Sequence, residues 1–115
     1  MYYKGDILEA DKREFHQGRH KILIWGHYEE GSDFEGIILT HSSSKKYSTN
    51  ILLDSTHIAE GYKFGWENTH FVNQLFIKLS EWGPFEKVGE MTEEGIMFIN
   101  DQLTNIEPMN YMDFK

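Results

Sequence analysis

Arg19, His20, Thr40 and His41 are the residues of this sequence whose types and spacing best suit chemistry. Arg19 and His20 stand just before the apolar run Ile22-Leu23-Ile24-Trp25, and Thr40, His41 and Ser42 directly follow a second run, Ile37-Ile38-Leu39. Two such polar clusters suit the cleavage of an RNA phosphodiester by its own neighbouring 2′-hydroxyl. The protein must then take the hydroxyl proton, give a proton to the leaving oxygen and stabilise charge on the phosphorane. Histidine titrates near neutrality and serves both proton transfers, while arginine offers paired donors to phosphate oxygens. In this reading His20 and His41 share the proton transfers, Arg19 binds the phosphate, and Thr40 or Ser42 donates a hydrogen bond. Lys21, Lys45 and Lys46 bring positive charge to either side and complete the substrate-binding set.

Other chemistries find less support. The chain has no cysteine, which removes disulfides, thiolate zinc sites and cysteine nucleophiles. His16 and His20 have the i, i+4 spacing of helical metal ligands, but Gly18 lies between them in an expected loop and no third ligand is placed. No metal and no cofactor is therefore expected. The serine run Ser42-Ser43-Ser44 does not belong to a Gly-x-Ser-x-Gly elbow, and no glycine-rich phosphate loop occurs. The formal charge of −8 keeps such a protein in solution but repels phosphates at long range, so RNA binding needs a local basic patch. Lys12, Arg13, Arg19, His20 and Lys21, with Lys45 and Lys46 after the second cluster, are the patch the sequence offers.

The elements that must position these residues follow from periodicity. Lys21 to Tyr28 reads as a strand with both faces covered, because four apolar residues run consecutively. Glu29 to Asp33 reads as a turn, and Glu35 to His41 as the partner strand of a hairpin. Shorter strands are expected within Tyr2 to Ala10, Asn50 to Asp54, His70 to Lys78 and Phe85 to Glu90. Asp11 to His20 and Ser42 to Lys46 read as loops, and Ser55 to Thr69 as loop-rich. Trp82-Gly83-Pro84 forces a turn. Thr92 is the expected N-cap of a helix with Glu93 and Glu94 in its first turn. Ile96, Ile99, Leu103 and Ile106, widened by Met97 and Phe98, supply its apolar face. Pro108 stops that helix or lies just past its end.

Strands followed by one helix exclude a parallel doubly wound sheet and predict a mainly β fold, a small antiparallel barrel with a C-terminal helix. At 115 residues the chain suits one domain, placed at residues 1–107 with a tail at 108–115. No apolar run approaches the roughly 20 residues that span a bilayer, and no signal-peptide pattern opens the chain. The expectation is a cytoplasmic protein with no membrane contact.

On these residues the chain resembles the MazF/PemK family of toxin endoribonucleases. Lys4-Gly5-Asp6-Ile7 is similar to the family's Gly-Asp start. Gly18-Arg19-His20-Lys21, followed by an apolar strand, lies where the family has Gly-x-Arg-Pro. The strand ending in Thr40-His41-Ser42 falls where the family places a catalytic threonine or serine. Val88 to Glu94 resembles the family's short strand leading into a last helix. The resemblance implies an SH3-like barrel, a homodimer, metal-independent cleavage of single-stranded RNA and neutralisation by a cognate antitoxin protein. Aligned without gaps, the family's Arg-Pro pair falls on His20-Lys21, and Asn73 stands before Gln74 where some members carry an acid. Asn73 is accordingly read as a substrate-binding residue. The related fold also acts by protein contact, so a non-catalytic binding module, immunity or inhibitor protein is the alternative, and a ligand-binding barrel using Tyr62 to Trp66 a further one.

Overall fold

A computed structural model of the protein describes residues 3–10, 20–27, 34–40, 50–77 and 85–110. The strands are β1 (Asp6–Ala10), β2 (His20–His27), β3 (Phe34–Thr40), β4 (Ile51–Leu52), β5 (His70–Phe71), β6 (Phe76–Ile77) and β7 (Phe85–Glu90). Helix α1 (Glu93–Gln102) and strand β8 (Met109–Asn110) follow. They form one sheet whose main path runs β4-β5-β3-β2-β1-β7, with β6 pairing both β3 and β8. Every pairing is antiparallel except β6 with β8. Among the described residues no helix is long and apolar enough to cross a membrane.

The expected class holds: a mainly β, antiparallel fold carrying a C-terminal helix. Among the described residues strand pairing does not close the sheet into a complete barrel. An irregular segment links its two ends instead. The chain leaving β4 runs alongside β7 through an Ile58↔Met91 bridge, with Ala59 N–H bonded to the Glu90 carbonyl at 2.9 Å and Phe64 N–H to that of Val88 at 2.8 Å. Register breaks between Ile24 and Gly26 in β2, and between Ile7 and Leu8 in β1, add the local bend that such curling needs.

The two apolar runs of the hairpin explain why it lies at the centre. Alternate residues feed two clusters: Ile7, Leu23, Trp25, Ile37, Leu39 and Phe71 on one face, Leu8, Ile22, Ile24, Ile38, Val72 and Phe76 on the other. All twelve are buried. Helix α1 covers the first face with Ile99 and Leu103, and Ile96 and Phe98 pack against it. Its start matches expectation, since the Thr92 hydroxyl accepts the Gly95 N–H at 3.0 Å.

The helix ends sooner than its apolar pattern suggests. Ile106 and Met97 are exposed, and Ile106 lies past the helix. Asn73 accounts for the stop: its Oδ1 accepts the Thr104 N–H at 2.9 Å and its Nδ2 donates to the Thr104 hydroxyl at 2.8 Å. The expected strand over His70 to Lys78 is likewise two short strands, interrupted where Gln74 turns its Nε2 to the carbonyls of Leu75 and Glu107. Past Pro108, in the segment read as a tail, Met109 and Asn110 form β8 beside β6.

Candidate functional site

One end of the sheet gathers the chemistry-bearing residues in a transverse row. Ala10 pairs with His20, Thr40 pairs with His70, and His70 pairs with Leu52. His20 and Thr40 each stand one residue beyond the Lys21↔Leu39 pair, so they occupy the same end of the β2–β3 ladder. Directly opposed antiparallel residues hold their Cβ atoms about 4.5–5.5 Å apart. Thr40 and His70 are therefore neighbours on one face.

The turn before β5 fixes how His70 is presented. Asn68 adopts a φ of 56°, a left-handed conformation that asparagine tolerates. Thr69 is fully buried, its N–H bonded to the Trp66 carbonyl at 3.0 Å and its hydroxyl to the Gly65 carbonyl at 3.2 Å. The Asn68 carbonyl then lies 3.2 Å from His70 Nδ1. A carbonyl oxygen only accepts, so in the neutral ring this contact selects the tautomer with the hydrogen on Nδ1 and the lone pair on Nε2. The ring is half-buried, with Nδ1 held at the Asn68 carbonyl.

Asn50, just before β4, adds an unusual group. Among the described residues its Nδ2 and Oδ1 are the buried side-chain polar atoms without a hydrogen-bond partner. Each such atom costs about 1–3 kcal/mol.

The expected site residues divide as follows. Thr40 ends β3, half-buried, and His20 opens β2. Lys21 falls on the other face: it pairs with Leu39 of the first cluster, and its Nζ lies 3.4 Å from Glu9 Oε1. A phosphate at Lys21 would compete with that carboxylate. Asn73 is occupied by the helix-terminating bonds to Thr104, and its carbonyl accepts Asn105 Nδ2 at 2.8 Å. Arg19, His41, Ser42, Lys45 and Lys46 lie outside the described residues. Among the described residues no three His, Asp or Glu side chains are grouped to hold a metal ion. His70 and Asn50 are the additions that the strand readings leave unassigned.

A second histidine region sits at the start of α1. His57 is buried and stacks on Phe98 with ring centroids 4.2 Å apart. Its Nδ1 accepts the Asp54 N–H at 3.0 Å, and its carbonyl accepts the Thr92 N–H at 2.9 Å. The Thr92 hydroxyl donates to the Thr56 carbonyl at 2.6 Å. Asp54 Oδ1 accepts both the hydroxyl and the N–H of Thr56, which holds its carboxyl below the usual aspartate range. This turn locks the helix cap, and His57 does not join His70.

The aromatic segment Tyr62 to Trp66 divides between the core and the surface. Phe64 is buried in the first cluster, whereas Tyr62 and Trp66 are exposed. The Tyr62 hydroxyl donates to Glu90 Oε2 at 2.7 Å, which raises its pKa. Beside it, the buried Asp6 carboxylate lies 3.1 Å from Lys87 Nζ and raises the lysine's pKa.

No family model matches the chain, and no curated protein matches it. The reading of function therefore rests on the residues themselves.

Proposed function

We propose that the protein is a toxin-like, metal-independent endoribonuclease that cleaves single-stranded RNA across the Thr40–His70 end of the sheet. The observation that carries this reading is the Thr40↔His70 pairing, with His70 Nδ1 donating to the Asn68 carbonyl. That bond leaves Nε2 free to take the 2′-hydroxyl proton or, once protonated, to serve the leaving oxygen. His20, at the same end of β2, is the partner for the second transfer, and Thr40 supplies a hydroxyl next to the phosphate. Arg19 and His41 flank these positions in sequence, Arg19 as the phosphate ligand and His41 as a further acid–base group. A homodimer and a cognate antitoxin belong to the same proposal.

Purified protein incubated with mixed-sequence RNA in chelator should give fragments with cyclic phosphate ends. His20→Ala, His41→Ala and His70→Ala should each suppress them. RNA left intact by wild-type protein under all conditions tried would retire the proposal.

A second reading is a module that acts by protein contact. The net charge of −8 and the exposed Tyr3, Tyr62 and Trp66 favour it. A stable complex with a protein partner, together with intact RNA, would select this reading.

A further inference from the structure

A solvent-open groove of about 540 Å³ lies where the chain leaving α1 passes Gln74 on its way to β8. It begins just past the C-terminus of the helix, the negative end of the helix dipole, and the last helical turn holds no basic residue. Neither Thr40 nor His70 lines it. Hydrogen bonds fix what its polar side chains present. Gln74 is buried, and its Nε2 donates to the carbonyls of Leu75 and Glu107 at 2.9 and 2.8 Å. Asn105 Nδ2 donates to the Asn73 carbonyl at 2.8 Å. Carbonyl oxygens only accept, so neither amide turns round without losing these bonds. What the two amides have left to offer a ligand is oxygen, Gln74 Oε1 and Asn105 Oδ1. Glu107 adds an exposed carboxylate, and no basic residue lines the groove. The rest of the wall is apolar: Ile106 is exposed, and Pro108 and Met109 are half-buried.

Side chains that offer oxygens and one negative charge call for a cation rich in N–H donors. A guanidinium is a plane of such donors with no acceptor, and it is weakly hydrated. Its alkyl stem covers apolar surface while the charged head stays wet. An ammonium is a compact, strongly hydrated charge and suits acceptors spread over three positions less well. The source follows from the shape. Small-molecule sites bury about 70–90% of their ligand, which an open groove does not do, whereas a side chain carried on a larger surface needs no enclosure. We infer that this groove receives an arginine side chain of a partner protein, with the guanidinium at Gln74, Asn105 and Glu107 and the stem on Ile106 and Pro108. The net charge of −8 draws a basic partner surface towards the chain. The inference does not depend on the ribonuclease reading, because the binding is measured without RNA.

The full chain, labelled with ¹⁵N, is titrated with a capped glycine–arginine–glycine peptide, with the same peptide carrying citrulline, and with butylguanidinium. Citrulline keeps the shape of arginine but is neutral. The arginine peptide should move the Gln74 Nε2 pair and the backbone amides of 104–107 and 109 more than those of the exposed Glu60 and Glu94. The citrulline peptide should bind about tenfold more weakly, the gap between charged and neutral hydrogen bonds. Glu107→Gln should weaken the arginine peptide about two- to fivefold, the scale of one exposed ion pair. Ile106→Ser should weaken it as well, and both positions are exposed, so the fold is kept. Resonances around the groove that the arginine peptide leaves in place overturn the inference, as does a citrulline peptide that moves them equally. Shifts as large at Glu60 and Glu94 overturn it too, since they report diffuse attraction to the net charge. Butylguanidinium binding where the arginine peptide does not would overturn the protein partner in favour of a free small cation.

Discussion

His57 and His70 are thirteen positions apart in a loop-rich stretch, yet the fold gives them opposite surroundings. His57 is buried, stacked on Phe98, and its Nδ1 accepts the Asp54 N–H. His70 is half-buried at a sheet end, and its Nδ1 donates to the Asn68 carbonyl. The two contacts thus favour opposite tautomers of the neutral rings. In His57 the lone pair on Nδ1 is consumed by the backbone and the ring becomes a packing element. In His70 the backbone takes the N–H, so the lone pair on Nε2 remains for a ligand. Residue type alone does not distinguish the two histidines; the backbone group facing Nδ1 sets which nitrogen of the neutral ring keeps its lone pair.

The comparison can be broken first by truncation. His57→Ala removes a buried ring and leaves the Asp54 N–H unpaired, so it should cost about 2–4 kcal/mol in urea unfolding. His70→Ala, at a half-buried position, should cost under about 1 kcal/mol. Equal losses in the two variants would erase the distinction.

Gly95→Ala sharpens the structural half. In most helices this change stabilises by up to about 1 kcal/mol. Here an added Cβ would meet the His57 carbonyl and the Met91 side chain, so the sign should reverse to a net loss of about 1–2 kcal/mol. A raised melting temperature would show that the 54–57 turn does not press on the helix.

The smallest effect is the pH dependence of that turn. The Thr56 bonds hold Asp54 below its ordinary range, so their contribution is present above about pH 4 and fades as pH falls through the folded-state value. Asp54→Asn should therefore be less stable than wild type near neutrality, with the gap narrowing towards pH 3. A gap independent of pH would place the effect elsewhere.

The local half of this architecture was readable in the chain. Consecutive Ile22 to Trp25 and Ile37 to Leu39 announced a hairpin covered on both faces, Phe85 to Glu90 matched β7, and Thr92 with Glu93 and Glu94 marked the helix start. What escaped depends on contacts distant in sequence. Asn73 stops α1 from a position 31 residues upstream of Thr104, and no local breaker signals it. Thr40 meets His70 through a register fixed by apolar residues on β3 and β5. Asn50 reads as an ordinary strand start, because the lack of a partner is visible only in three dimensions. Lys21 looked like part of a basic patch, but strand alternation turns it to Glu9.

The most direct measurement is the single-turnover rate of cleavage of single-stranded RNA in chelator by wild type, His70→Ala and His57→Asn, each at matched folded fraction. His70→Ala should lose about 10²–10⁴-fold, the usual scale for a general acid or base. His57→Asn, which keeps an acceptor for the Asp54 N–H, should cleave within about threefold of wild type. His70→Ala cutting RNA at the wild-type rate would contradict the proposed role of His70.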